Sequence, residues 1–228
     1  MKNRGTGVRS AVPGVAGLAL AALLATPGPA QAHPHAWIDV STELRFDESG
    51  AVTAIRETWL FDEYYTVFAV QGLDADGDGK PDPDKLAELL EINLTNLAEY
   101  DYFTRVWAGG ERLEVEPAVE GTNAMRDGRL EMSFLLPLRT PAAADGGKLV
   151  YKIFDPTYYI EMLHRDTEQA VELRDAPEGC TASVERGDPP LEAIGLATSL
   201  DSSVQGETSY GDKSLGALFA ETVTVSCP

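Results

Sequence analysis

Three histidines and one aspartate-rich segment hold most of the side chains in this chain that can bind or react. His33-Pro34-His35 is its densest group of nitrogen donors. Imidazole suits borderline metals such as Zn2+, Ni2+, Co2+ and Cu2+. A chain beginning at His33 adds a free α-amine, so that residue supplies two donors and His35 a third. One familiar geometry is excluded. A terminal copper or nickel chelate with histidine in third place needs a deprotonated amide at residue two, and Pro34 has no amide hydrogen. That leaves a histidine brace on copper, or a tetrahedral site completed from elsewhere. His164 is the third histidine, with Asp155, Glu161 and Asp166 close to it in sequence. Strand alternation turns His35, Trp37 and Asp39 to one side. A fourth ligand must approach that side, and Asp155, His164 or Asp62 can provide it if the fold brings its segment there.

The second constellation is Asp74-Ala75-Asp76-Gly77-Asp78-Gly79-Lys80-Pro81-Asp82. Asp74, Asp76, Asp78 and Asp82 occupy positions 1, 3, 5 and 9 of a calcium loop. The Lys80 carbonyl is at position 7, and Gly79 is at position 6, where the chain must turn sharply. Oxygen ligands at alternate positions suit a hard cation. Position 12 is Lys85 rather than the bidentate Glu, so the expected affinity is weak, about 0.1–1 mM. No Ser/His/Asp order, phosphate-binding loop or glycine-rich nucleotide turn accompanies these groups. The chain reads as a binding protein, not an enzyme.

The elements that must position these residues are mostly strands. Residues 36–46 alternate, with Ile38, Val40, Leu44 and Phe46 on one face; residues 51–61 do the same with Ile55, Trp59 and Phe61. Asp47-Glu48-Ser49-Gly50 between them predicts a hairpin turn. Residues 62–72 suit a short helix, and 84–100 carry leucines at helical spacing, so the aspartate loop has a helix on each side. Further strands are expected near 102–108, 111–119, 129–136, 148–155 and 222–227, with a short helix at 214–220. A polar stretch at 199–212 reads as a loop. The predicted fold is mainly β (α+β): a β-sandwich-like domain with a helix–loop–helix, EF-hand-like insertion at 62–100.

Residues 1–32 read as a cleaved secretory signal. Lys2, Arg4 and Arg9 precede an apolar run, Val15 to Ala25, and Ala30-Gln31-Ala32 ends it. The run is too short to span a bilayer, so no membrane span is expected after cleavage, and residues 33–228 form the exported domain. Export places Cys180 and Cys227 in an oxidising compartment, where two cysteines most simply form one disulfide. The chain has 228 residues, 43% hydrophobic, and a net charge of −19. Cleavage removes three bases and no acid, which lowers the charge to −22. Nucleic acid is excluded as a partner, because phosphate binding needs Lys and Arg. Cations are favoured.

Several segments together resemble DUF1007, a bacterial secreted family of unknown function. They are His33-Pro34-His35-Ala36-Trp37-Ile38-Asp39, Glu57-Thr58-Trp59-Leu60-Phe61-Asp62-Glu63, the aspartate loop, Asp101-Tyr102-Phe103-Thr104, Phe154-Asp155-Pro156-Thr157-Tyr158-Tyr159 and Leu215-Gly216-Ala217-Leu218-Phe219-Ala220. The resemblance implies a periplasmic protein serving a nickel/cobalt/zinc-type membrane permease. It also implies that Asp62, Glu63 and Asp155 are ligands or orient them. The expected function is therefore transition-metal binding, zinc first and nickel or cobalt next, with copper at a histidine brace as one alternative. A calcium-ordered structural adaptor is the other.

Overall fold

The alternation at 36–61 becomes two eleven-residue strands, β1 (Ala36–Phe46) and β2 (Ala51–Phe61). They pair antiparallel, Ile38 opposite Phe61. The computed structural model describes residues 34–144, 149–167, 169–199 and 214–228. The signal reading at 1–32, His33 and nearly all of the 199–212 stretch lie outside the described residues.

After β2 come α1 (Glu63–Ala69) and α2 (Pro83–Leu97), then a 3-10 segment, Ala98–Phe103. Asp62 caps α1: its Oδ1 accepts from the Tyr65 amide at 2.9 Å. Pro83 starts α2, where a missing N–H costs nothing. The remaining strands are β3 (Thr104–Ala108), β4 (Glu111–Leu113), β5 (Val119–Arg126), β6 (Arg129–Ala143) and β7 (Leu149–Ile153), then β8 (Ile160–His164), β9 (Val171–Arg174), β10 (Thr181–Glu185) and β11 (Thr222–Ser226). Two helices lie between the last two strands, α3 (Leu191–Ser199) and α4 (Leu215–Phe219).

The strands form two sheets. The first has the order β5-β6-β2-β1-β8, with β9 also paired to β1; the second has the order β10-β11-β7-β3-β4. β8 and β9 both run parallel to β1, β8 beside Ala36 to Val40 and β9 beside Thr42 to Arg45. One core fills the space between the sheets. Ile38, Leu44, Ile55, Trp59, Met132 and Phe134 come from the first sheet; Val106, Leu149, Tyr151, Val223 and Val225 come from the second. The mainly β architecture follows the sequence reading, and the boundaries of β1 and β2 agree with it.

Three differences have physical causes. β3 begins at Thr104 because Asp101, Tyr102 and Phe103 all hold positive φ, between 51° and 60°, which no strand can contain. The segment expected at 111–119 is a three-residue strand followed by a single bridge, Val115 to Leu138, and β5 then pairs β6 across the Asp127-Gly128 turn. β8 and β9 have five and four residues, too few for alternation to stand out from composition.

Cys180 and Cys227 are disulfide-bonded. They flank the β10/β11 pair, where Thr181 faces Ser226, so the bridge joins the ends of two paired strands. No helix among the described residues is long and apolar enough to cross a membrane.

Candidate functional site

His35 stands at the head of β1, exposed. Its amide donates to the Tyr159 carbonyl at 2.8 Å, and its ring lies 4.7 Å from the Tyr159 ring. On the other side of β1, Asp62 and Trp37 exchange two bonds: Asp62 N donates to the Trp37 carbonyl, and Trp37 N to Asp62 Oδ2, both at 2.9 Å. His35 lies two residues before Trp37, so it stands about 7 Å along the strand from the Asp62 pairing position. The structure thus brings His35 and Asp62 to one end of one sheet, with Tyr65 and Tyr159. Burial pushes the Tyr65 phenol up, helped by Tyr159 and Asp62 nearby. Asp39, on the same face of β1, is taken by Arg129 at 2.8 Å.

His164 does not join this group. His164 pairs with Val40, five residues along β1 from His35, a separation of about 16 Å. It also faces inward, whereas His35 faces solvent. Its Nδ1 lies 3.0 Å from Glu221 Oε2, which also accepts from the His164 amide at 2.6 Å. Glu221 is held below the ordinary carboxyl range: burial opposes ionisation, but the two bonds and charge of His164, with Arg186, overcome it. The ionised carboxylate makes Nδ1 the protonated nitrogen; Nε2 is buried without a partner. A polar cleft of about 210 Å3 at this edge is lined by His164, Arg165, Asp166, Thr167, Arg186 and Glu221, among others.

Asp155 is buried and bonded to its own turn. Its carboxylate accepts from the Thr157 amide and hydroxyl and from the Ile160 amide, at 2.8 to 3.0 Å. This turn aims β8 along β1. α4 packs directly on it: a Cβ at Gly216 would collide with the Asp155 carbonyl oxygen, and the Tyr158 and Phe219 rings stack at 3.9 Å. Asp155 orders the backbone here, and its bond to Ile160 sets that residue at the position that pairs with Ala36, next to His35.

The aspartate loop is wound from its own carboxylates. Asp74 accepts from Gly77 N and Gly79 N at 2.7 and 3.0 Å; Asp76 accepts from Asp78 N, Asp78 from Lys80 N and Asp82 from Ala75 N. Gly79 has φ +86°, a value open to glycine at little cost. One carboxylate oxygen each from Asp74, Asp76 and Asp78 lies within 4.8 Å of the others, all exposed. Asp82 is turned to the loop amides, and the Lys85 ammonium pairs with Glu88 at 2.8 Å instead of entering the loop.

Two buried acids escaped the sequence reading. Glu57 shares the inward face of β2 with Ile55, Trp59 and Phe61, and Glu221 precedes Val223 and Val225 in the same alternation. That register is the signal that could have found both. An apolar cleft of about 150 Å3 opens near Glu57, between α2 and the end of the sandwich; Trp59, Phe61, Tyr65, Asn93, Phe103 and Ile160 are among its lining residues.

Residues 18–227 match the model of a protein family described as a protein of unknown function, DUF1007. An uncharacterized protein of Haemophilus influenzae is 25% identical over 198 residues, covering 86% of this chain and 91% of the relative. An uncharacterized 15.5 kDa protein from the trpE 3' region of Spirochaeta aurantia is 29% identical over 110 residues, covering 48% of this chain and 78% of the relative.

Proposed function

This chain belongs to the DUF1007 family, and we propose that it is a periplasmic metal-binding protein without catalysis of its own. It takes a transition metal (zinc, or nickel or cobalt) at the head of β1 and serves a membrane metal permease. The observation that supports this reading is that exposed His35 stands at the same end of β1 as Asp62, on a strand end held by β2 on one side and Tyr159 on the other. A ligand on a paired strand is pre-positioned, so little ordering entropy is lost when metal binds. The His33 amine and imidazole complete the donor set when the chain starts there.

Calorimetric titration of zinc into protein processed to begin at His33 tests this. One equivalent should bind, and His33→Ala/His35→Ala should abolish binding with an unchanged circular dichroism spectrum. Wild-type affinity in that variant would place the metal elsewhere.

A second reading is favoured by the convergence of Asp74, Asp76 and Asp78. Here calcium orders the link between α1 and α2, as in an EF-hand-like insertion, and the protein is a structural adaptor. Calcium at millimolar level should then raise the melting temperature, and zinc at the terminus should be dispensable for partner binding.

A further inference from the structure

Glu57 is fully buried between the two sheets. Thr42 faces it from β1 and Phe134 from β6; Thr104 and Tyr151 approach from the second sheet. Of these only Tyr151 titrates. Burial drives its phenol further up, and its hydroxyl is engaged with Thr42 at 2.5 Å. His164 packs edge-on against the far side of this layer, on the Tyr151 ring, and is bound to Glu221. No cation bonds to Glu57 among the described residues.

The hydrogen bonds around it count in favour of one protonation state. Trp59 Nε1–H donates to Oε2 at 2.9 Å. The Thr104 hydroxyl lies 2.6 Å from Oε1 and 3.0 Å from the Tyr102 carbonyl oxygen. With Glu57 ionised, one hydroxyl hydrogen faces two acceptors, and a buried acceptor goes without. With a proton on Oε1, Glu57 donates to Thr104, Thr104 donates to Tyr102, and every group is satisfied.

We propose that Glu57 is held as a neutral acid whose proton completes a Glu57–Thr104–Tyr102 relay between the sheets, and that loss of this proton loosens the wall of the aromatic cleft. The relay ends on a strained segment: Asp101, Tyr102 and Phe103 occupy the left-handed region in succession, which side chains other than glycine rarely adopt. Such a segment persists only while its surroundings over-determine it. Phe103 and Trp59, with near-parallel rings 6.2 Å apart, both line the cleft. The proton therefore braces the cleft from behind. Burial pushes the Glu57 carboxyl up to about 7, against the bonds from Thr104 and Trp59.

The folded value lies above the unfolded one, about 4.5. The contribution to stability is whole below the unfolded value, is lost as pH rises through the folded value and stays lost above it. This device is independent of the metal reading.

Glu57→Gln is the test, because the amide donates to Thr104 and accepts from Trp59 permanently. Between about pH 4.5 and 7, wild type should lose unfolding free energy relative to Glu57→Gln, and the difference should level off above. Parallel profiles would overturn the proposal. Infrared titration of the wild type needs no folded variant. A protonated buried carboxyl band should be present near pH 5.5 and gone by about pH 8.5; its absence at the lower pH refutes the neutral acid. For the cleft, Trp59 is left as the sole indole by Trp37→Phe/Trp107→Phe. Acrylamide should quench it more strongly at the higher pH, and equal quenching at both would refute the loosening.

Discussion

The aspartate loop and the sandwich interior both collect carboxylates, and the two regions treat them in opposite ways. In the loop, Asp74, Asp76 and Asp78 crowd within 4.8 Å while exposed. Their carboxylates accept from the loop's own backbone N–H groups and otherwise face outward. Glu57, between the sheets, and Glu221, at the sandwich edge, are both buried from solvent. Glu221 keeps its charge by binding His164, and Glu57 keeps its place by holding its proton. Burial raises the cost of charge, and the partner decides whether a group remains ionised. A net charge of −19 is thus a property of the surface that says little about which acids matter.

The largest expected effect is at Glu221. Glu221→Ala should cost about 3–4 kcal/mol in urea denaturation, since it leaves the His164 ring and amide without their buried acceptor. The pH dependence should oppose that of Glu57. The folded value of Glu221 is depressed, so its contribution is present above the unfolded value near 4.5 and is lost as pH falls through the folded value. Glu221→Gln should flatten the acid limb of the stability profile; an unchanged limb would mean that the carboxylate is unpaired in solution.

On the calcium reading, the loop should respond only when calcium is supplied. Calcium at a hundredfold over its dissociation constant should stabilise wild type by about 2.7 kcal/mol in thermal unfolding. Asp74→Ala should erase that gain, while changing the calcium-free protein by less than about 0.5 kcal/mol. A large loss without calcium would show that the Asp74 bonds to Gly77 and Gly79 hold the fold itself. Next in size, Tyr151→Phe should cost about 1 kcal/mol, the usual worth of one buried hydrogen bond, here to Thr42. The smallest effect is at Lys85. Breaking its exposed pair with Glu88 by Lys85→Ala should leave the calcium-free melting temperature unchanged. Lys85→Glu, which places a carboxylate at position 12, should lower the dissociation constant for calcium measured by calorimetry.

The hairpin of β1 and β2, the helices on either side of the aspartate loop and the cysteine pair were all legible in the residues. Each is specified locally, by period-two alternation over eleven residues, by leucines at helical spacing or by a count of two cysteines read with a secretory signal. The carboxylate spacing of the loop was legible for the same reason, since its geometry lies within nine consecutive residues. What only the tertiary structure decided is which distant groups meet. His164 lies 129 residues from His35 in sequence and is carried by a strand parallel to β1, yet the register places it five residues away and on the opposite face. Asp155 was a ligand candidate by type, and the structure shows its carboxylate also closing the turn that leads into β8. Glu57 appeared as one acid among many until Thr104, 47 residues on, arrived from the other sheet. A strand records in its own residues which face is apolar, and it records nothing of the strand it will pair with or of the sheet that will cover it. The chemistry of a buried acid is set by those neighbours.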